Sequence, residues 1–174
     1  MNGPAAKRAE RLRAIVRNPP QASSAETRRV MVGNRRRDSG PEVALRRVLH
    51  RSGRRFRVDF PIHVPGRRAI RPDIVFTRAR LAVFVDGCFW HGCLEHGTRP
   101  RANEAYWAAK IEINQARDTE QTRLLEELGW AVLRAWEHEP PDRAALRVMN
   151  ALGAQAASGS GADTNCGSRA TPTA

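Results

Sequence analysis

The residues 85–96, VDGCFWHGCLEH, place four side chains that bind metals or carry protons within a very short stretch. Thiolates and imidazoles are the usual ligands of zinc, and an imidazole also titrates close to neutral pH, which suits proton transfer. An aromatic pair, Phe89 and Trp90, is inserted between the first cysteine and the first histidine, although neither metal binding nor proton transfer needs it. The four side chains are Cys88, His91, Cys93 and His96.

A tetrahedral zinc site would need ligands from this stretch and from elsewhere in the chain. The cysteines and the second histidine have the spacings C-x4-C and C-x2-H, which leaves a fourth place to fill. The motif WEHE ends a later apolar segment and offers His138. Five residues therefore compete for four places, and the spacing alone does not choose among them: Cys88, His91, Cys93, His96 and His138.

Carboxylates near the ends of predicted strands indicate a second site, for a harder cation. The motif RPD places Asp73 at the start of one strand, and the apolar run LAVFVD ends the next strand at Asp86. Glu42, near the start of a predicted helix, is able to reach the same sheet end. Carboxylate oxygens suit Mg²⁺, which keeps several of its water ligands. His91 is the nearest candidate to take the proton of an attacking water.

The elements that must position these residues form an α/β pattern. Apolar spacing predicts a helix over 41–52 that stops at Gly53, then a strand in FRVDF. DIVFT and LAVFVD are separated by RAR, residues 78–80, which is typical of a hairpin. A long helix is predicted over 104–128, capped by Asn103 and closed by Gly129, followed by a strand over 130–137 and a short helix over about 142–152. The length predicts one domain.

Composition indicates a polyanionic partner in a reducing compartment. The 174 residues include 30 Lys and Arg against 18 Asp and Glu, a formal net charge of +12. An arginine-rich excess suits phosphate, although a GC-rich genome would produce the same bias. No stretch has the apolar length of a membrane helix, and no secretory signal is present. Three cysteines, two of them close to histidines, favour metal ligation in the cytoplasm over disulfides, with Cys166 a bystander in a small, polar C-terminal segment.

The order of helix, meander, helix and strand, with acids on neighbouring strands, resembles the PD-(D/E)XK core of restriction endonucleases. The lysine expected two residues after the second acid is replaced by Cys88. Four motifs then resemble, in order, the very short patch repair (Vsr-type) DNA mismatch endonucleases. They are RPDIVF, VFVDGCFWHGC, YWAAKI with its following N and RD, and LGWAVLRAWEHE. The resemblance covers about residues 24–140.

This resemblance implies a mixed sheet flanked by helices, a structural Zn²⁺ and a catalytic Mg²⁺. It implies an enzyme that nicks the thymine strand 5′ to a T·G mismatch produced by deamination of 5-methylcytosine. Asp73 matches the Mg²⁺-binding aspartate, His91 the histidine that activates water, and Glu42 a further glutamate of the site. Val85 matches a residue whose backbone carbonyl ligates Mg²⁺. Asp86 stands where the best-known members carry a second histidine, so the proton relay differs.

The zinc ligands and the DNA contacts also follow from the resemblance. His138 stands where some members have cysteine, and His96 becomes the third zinc ligand, which frees His91 for catalysis. Phe89 and Trp90 resemble a wedge that unstacks base pairs, with Trp107 supporting it. Residues 22–40 resemble a DNA-contacting arm. Its expected contacts are a base contact from Met31 and phosphate contacts from Arg35, Arg36 and Arg37.

The expected organisation is a basic, flexible segment over 1–21, an endonuclease domain over 22–153 and a disordered tail over 154–174. The expected partners are mismatched double-stranded DNA and the mismatch repair apparatus, for a monomer at the bacterial nucleoid and not at a membrane. Two alternatives remain open. One is a restriction-type or general nicking nuclease of the same fold without mismatch preference. The other is a zinc-stabilised DNA-binding module without catalysis.

Overall fold

The structure is a computed structural model that describes residues 3–21, 24, 25, 29, 37–97 and 102–159. Secondary structure in these segments alternates between helices and a small sheet, as the sequence predicts. In chain order the elements are α1 (Pro4–Val16), α2 (Gly40–Arg51), β1 (Ile74–Phe76), β2 (Leu81–Asp86), α3 (Cys88–His91), α4 (Glu104–Glu127), β3 (Ala131–Trp136) and α5 (Pro141–Gly159).

The strands described form one mixed sheet in the order β1-β2-β3. The hairpin prediction is confirmed, because β1 pairs antiparallel to β2 with Ile74 opposite Val83. Strand β3 pairs parallel to β2, with Leu81 beside Ala131 and Asp86 beside Trp136. A parallel pair needs a crossover connection, and α4 supplies it. The ends of β2 and β3 therefore meet at the same edge of the sheet.

Apolar side chains cover both faces of the sheet. Helices α2 and α5 pack on one face, where Leu49, Val83 and Val148 are fully buried. The other face packs against α4 and the segment around residues 60–70, and its core includes Leu125. The predicted central character of β2 is confirmed, because five of its six residues are buried. Helices on both faces therefore hold the end of the sheet in a fixed position, together with the carboxylates that lie there.

Two predictions about local structure are wrong. FRVDF is not a strand: Arg57 makes one isolated bridge to Val75, and Asp59 adopts a φ of 50°, which interrupts an extended run. Asn103 precedes α4 as predicted, but its side chain makes no capping hydrogen bond. An N-cap side chain reaches the helix from an extended backbone, whereas Asn103 has the left-handed φ of 57°.

The outer helices extend into the segments where the sequence predicts tails. Helix α1 lies within the segment predicted to be flexible and contacts α4, where Arg8 Nε lies 2.6 Å from Glu112 Oε1. Helix α5 continues to Gly159, past the predicted tail boundary at residue 154. The predicted boundary at residue 154 therefore falls inside α5. Among the described residues, no helix combines the length and the apolar character needed to cross a membrane.

Candidate active site

Asp73 lies at the end of the sheet, directly before β1. Its carboxylate accepts a 2.7 Å hydrogen bond from the backbone N–H of Val85 on β2. Burial, together with the negative charges of Glu42 and Asp86, raises the pKa of Asp73 to about 6, against the opposing effects of the Val85 hydrogen bond and the charge of Arg46. Three carboxylates close enough to affect one another suit a divalent cation, which relieves their repulsion.

Glu42 belongs to this group and also closes the start of α2. Ser39 is the N-cap residue, and its hydroxyl lies 2.9 Å from Glu42 Oε1 while it accepts from the Glu42 backbone N–H. The S-x-x-E spacing is that of a capping box, with the Glu42 carboxylate accepting here from the Ser39 hydroxyl. The other carboxylate oxygen accepts from Arg46 Nη2 at 2.9 Å and from the Asp38 backbone N–H at 3.0 Å. These contacts hold the buried Glu42 side chain in one position.

His91 is paired with a carboxylate from the long helix. Its Nδ1 lies 2.5 Å from Asp118 Oδ2 and 3.6 Å from Asp86 Oδ1. Burial acts to raise the pKa of Asp118, but the hydrogen bond to His91 and the charge of Arg134 outweigh it, so this pKa lies below its ordinary value. A carboxylate at Nδ1 fixes the imidazole with Nδ1 protonated and leaves Nε2 as a proton acceptor.

Arg134 on β3 contacts both carboxylates near His91. Its Nε and Nη2 donate to the two oxygens of Asp86 at 2.6 and 2.7 Å, and Nη2 lies 3.2 Å from Asp118 Oδ1. The register of the sheet explains this contact, because Arg134 pairs with Phe84 and Asp86 lies two residues further along the same face. A cleft of about 540 Å³ opens beside these side chains, with both His91 and Arg134 in its lining.

A second cluster lies on the other side of α3. The donor atoms of four residues lie within 4.8 Å of one another, and they are Cys88, Cys93, His96 and His138. Tetrahedral zinc with bonds of about 2.0–2.3 Å separates its ligand atoms by roughly 3.4–3.8 Å, so this cluster is the right size. Cys88 Sγ lies 3.0 Å from His138 Nδ1. Burial and the adjacent Cys93 raise the pKa of Cys88 to about 11 without a cation, so metal binding must displace a proton.

The aromatic residues of the same stretch pack against α4. Phe89 and Trp90 are half-buried, with ring centroids 5.0 Å apart, and Phe89 lies 5.3 Å from Trp107. Gly92 allows this close approach: it has a φ of 67°, and a Cβ there would lie 2.7 Å from Gln115 Nε2. The single turn of α3 therefore carries a cysteine of the second cluster, the aromatic pair and His91, in that order.

The structure brings together most of the residues that the sequence proposes. The end of the sheet holds Glu42, Asp73, Val85 and Asp86. His91 lies with Asp86 and Asp118, whereas His96 lies in the cysteine cluster. The arm is only partly described. Arg37 Nη1 lies 3.5 Å from Asp59 Oδ2, whereas Met31, Arg35 and Arg36 lie outside the described residues.

Sequence reasoning misses Asp118 and Arg134. A signal for the first exists, since Trp107, Asn114, Asp118 and Leu125 follow helical spacing and are all buried in α4. Asn114 donates to the Trp90 carbonyl at 2.9 Å, so this stripe supports α3. Arg134 has no comparable signal, because an arginine in an apolar strand reveals nothing about its partner 48 residues away.

A mixed sheet between helices, with carboxylates and a histidine at the end of two strands, defines an α/β nuclease. Comparisons with known proteins agree. The family model for the DNA mismatch endonuclease Vsr matches residues 22–96. The type II nicking enzyme V.NaeI of Lentzea aerocolonigenes is 44% identical over 133 residues, which cover 76% of this chain and 80% of that enzyme. The chain therefore belongs to the Vsr family of DNA endonucleases.

Two further relatives show the range of the similarity. The type II nicking enzyme V.XorIIP of Xanthomonas oryzae pv. oryzae is 42% identical over 136 residues, covering 74% of this chain and 94% of the relative. The DNA mismatch endonuclease Vsr of Escherichia coli K12 is 38% identical over 103 residues, covering 58% of this chain and 62% of that protein. One is named a nicking enzyme and the other a DNA mismatch endonuclease, in agreement with the family assignment.

Proposed function

We propose that this enzyme is a Mg²⁺-dependent mismatch endonuclease that nicks the thymine strand 5′ to a T·G mismatch. The observation that carries the proposal is the turn of α3, which joins the aromatic pair to the His91–Asp118 pair beside Asp73. The test is single-turnover cleavage of duplexes that differ only in a T·G mismatch or a matched C·G pair, with the thymine strand labelled. Cleavage of the mismatched strand alone is expected.

The proposed chemistry assigns the transfer of a proton to His91. With Nδ1 held by Asp118, Nε2 accepts the proton of the attacking water as the water oxygen bonds to phosphorus. The bond from phosphorus to the leaving sugar oxygen breaks, and that oxygen takes up a proton from solvent. Asp73 and the backbone carbonyl of Val85 would hold the Mg²⁺, and Glu42 and Asp86 keep the local charge negative. Bound Mg²⁺ would supply electrostatic stabilisation of the phosphate oxygens and of the leaving oxygen.

Replacing His91 by alanine is expected to lower the cleavage rate by about 10²–10⁴-fold, the usual contribution of a positioned general base. Zinc content and mismatch binding should stay unchanged, because His91 lies outside the cysteine cluster. Cleavage rates, elemental analysis and gel-shift titration measure the three properties. The matched control is His96→Ala, which should lose zinc. If His91→Ala loses zinc while His96→Ala retains it, the ligand and the base have been exchanged.

Phe89 and Trp90 are proposed to enter the duplex at the mismatch. Unstacking a base step costs a few kcal/mol and costs less at a poorly stacked mismatch, so the wedge converts deformability into selectivity. Trp107 supports both rings from α4. Phosphate contacts would come from Arg35, Arg36 and Arg37, with Met31 in the groove. The net charge of +12 supports this general attraction to DNA.

Replacing Phe89 and Trp90 together by alanine is expected to reduce the preference for mismatched over matched DNA by about tenfold or more, since stacking contributes roughly 1–3 kcal/mol per base. The cleavage step itself should still respond to Mg²⁺. Binding and cleavage of matched and mismatched duplexes give the ratio. Phe56→Ala, which removes a ring from the core near Phe76, controls for general destabilisation. An unchanged ratio would assign the aromatic pair to packing alone.

A second candidate function is a nicking nuclease without mismatch preference. It is favoured by the names of V.NaeI and V.XorIIP, which are called type II nicking enzymes. Equal cleavage of matched and mismatched duplexes would select it. The main proposal, the mismatch endonuclease, has three further parts. The cysteine cluster holds Zn²⁺, the enzyme is a monomer at the bacterial nucleoid in the cytoplasm, and it cooperates with the mismatch repair apparatus. A purely binding module is disfavoured by the paired His91 and Asp118.

A further inference from the structure

Arg134 is the one cation that touches both buried carboxylates beside His91 in the described part of the chain. Its guanidinium makes a two-pronged pair with Asp86, at 2.6 and 2.7 Å, and a third contact with Asp118 at 3.2 Å. Asp86 is 5% exposed and Asp118 is 8% exposed, so water screens these charges poorly. The contacts therefore determine how the two carboxylates are oriented.

His91 lies between two acceptors that compete for one proton. Its Nδ1 is 2.5 Å from Asp118 Oδ2 but also 3.6 Å from Asp86 Oδ1. Nδ1 carries at most one hydrogen, so it bonds strongly to only one carboxylate. Asp86 Oδ1 is the oxygen that accepts from Arg134 Nη2, whereas Asp118 turns its other oxygen to Arg134. The guanidinium thus occupies Asp86 and leaves Asp118 Oδ2 for the imidazole.

We propose that Arg134 is a positioning residue for His91, which selects Asp118 over Asp86 as the carboxylate that orients the imidazole. This inference rests on the proposed role of His91 in cleavage. Arg134 acts through the two carboxylates and not on the DNA. Without it, Asp86 would be a buried, unpaired charge able to draw the imidazole away from its working orientation.

The setting of the guanidinium supports a positional role over simple stabilisation. Its central carbon lies 4.7 Å from the centre of the Phe84 ring, which fixes the plane of the group. Its third nitrogen, Nη1, is buried and has no hydrogen-bond partner among the described residues. Buried ion pairs are often no more stable than apolar side chains of similar volume, and an unsatisfied donor adds a cost. The gain is the fixed geometry of Asp86 and Asp118.

The experiment compares Arg134→Gln, Arg134→Lys and the double variant Asp86→Asn with Arg134→Gln. Arg134→Gln should lower the single-turnover cleavage rate on the order of a hundredfold, the usual effect of a small misplacement, with little change in Kd for DNA. Lysine should give an intermediate rate, because it is a point charge that cannot pair with both oxygens of Asp86 in the same plane. The double variant should restore the orientation of the His91 ring, because the unpaired charge is removed, while its rate also reflects the loss of the Asp86 charge.

A spectroscopic readout separates positioning from folding. The ¹⁵N signals of the His91 ring should show protonated Nδ1 in the wild-type enzyme and a loss of that preference in Arg134→Gln, with recovery in the double variant. Arg147→Gln is the matched control, because Arg147 Nη2 donates to the backbone carbonyl of Arg134, at 3.1 Å, and not to a carboxylate beside His91. It should retain the wild-type rate and ring signals.

Two outcomes would overturn the inference. One is an unchanged rate and unchanged His91 signals in folded Arg134→Gln. The other is a double variant whose His91 ring signals are no closer to those of the wild type than the signals of Arg134→Gln. If Arg134→Gln does not fold, the lysine and double variants decide in the same way. If the wild-type enzyme fails to cleave any duplex while the ring signals change as expected, the proposed function is wrong and the positioning role is retained.

Discussion

Asp73→Asn is expected to abolish strand cleavage and, at pH 7, to make the protein more stable. The loss of cleavage follows from the proposed Mg²⁺ site, since a neutral amide is a poor ligand for a hard cation and the remaining carboxylates are otherwise engaged. Glu42 is held by Ser39 and Arg46, and Asp86 is held by Arg134. The amide oxygen of asparagine can still accept the Val85 hydrogen bond, so the sheet end should remain in place.

The gain in stability follows from the raised pKa of Asp73. Folding takes this pKa from an ordinary value of 3.8 to about 6, so between these values the folded state holds a proton that the unfolded state has released. The contribution of Asp73 to the free energy of unfolding therefore falls as pH rises from about 4 to 6 and stays low above 6. Each pKa unit corresponds to about 1.4 kcal/mol, which gives an upper limit of about 3 kcal/mol.

Urea unfolding in Mg²⁺-free buffer at pH 5, 6 and 7.5 measures this effect. The advantage of Asp73→Asn should be largest at pH 7.5 and shrink towards pH 5, and added Mg²⁺ should stabilise only the wild type. Asp142→Asn removes an exposed carboxylate from the first turn of α5 and serves as the control, without a gain in stability. Cleavage by Asp73→Asn at the wild-type rate would exclude Asp73 as the essential Mg²⁺ ligand.

Cys88→Ser is expected to release zinc and to remove both mismatch binding and cleavage. Structural zinc in small peptides contributes about 10–16 kcal/mol of apparent binding energy, and that energy is coupled to folding of the ligand loop. Cys88 is the first residue of α3, and His91 is its last, so unfolding of the loop would displace the aromatic pair and the base together. Cys93→Ser should behave in the same way.

Zinc content by elemental analysis, combined with duplex binding, tests this expectation. Cys166→Ser is the control, because the third cysteine lies outside both the cluster and the described residues, and it should keep one zinc per chain. A well-folded wild-type preparation that contains no zinc would defeat the assignment. So would Cys88→Ser that retains a full equivalent of metal.

Local patterns predict much of this fold. The β1–β2 hairpin follows from two β-rich runs around a short polar link, and Pro41 and Gly53 fall near the two ends of α2 as their conformational preferences require. These features depend on neighbouring residues alone. The failed strand FRVDF has the right residue types, but a hydrogen bond of 2.7 Å from Arg71 to the Asp59 carbonyl accompanies a bend that residue types do not reveal.

In the candidate site too, local features can be predicted from the sequence and long-range contacts cannot. Asp73, Asp86 and the cysteines are apparent because strand ends and ligand spacing are local features. The surroundings of His91 are not, since Asp118 contacts it from α4 and Arg134 contacts that carboxylate from β3, and only the folded register determines which carboxylate faces which nitrogen. The S-x-x-E spacing of Ser39 and Glu42 is also a local feature, and it predicts that Glu42 fixes the start of α2 besides serving the site.

The parallel pairing of β2 with β3 has a consequence for incomplete chains. Residues 81–86 pair with 131–136, so this contact forms only after α4 has been made and folded back. A chain that stops before residue 131 contains Asp73, His91 and both clustered cysteines but lacks Arg134 and His138. Ribosomes that abort early, or proteases that cut in α4, would therefore release fragments that lack residues of both clusters.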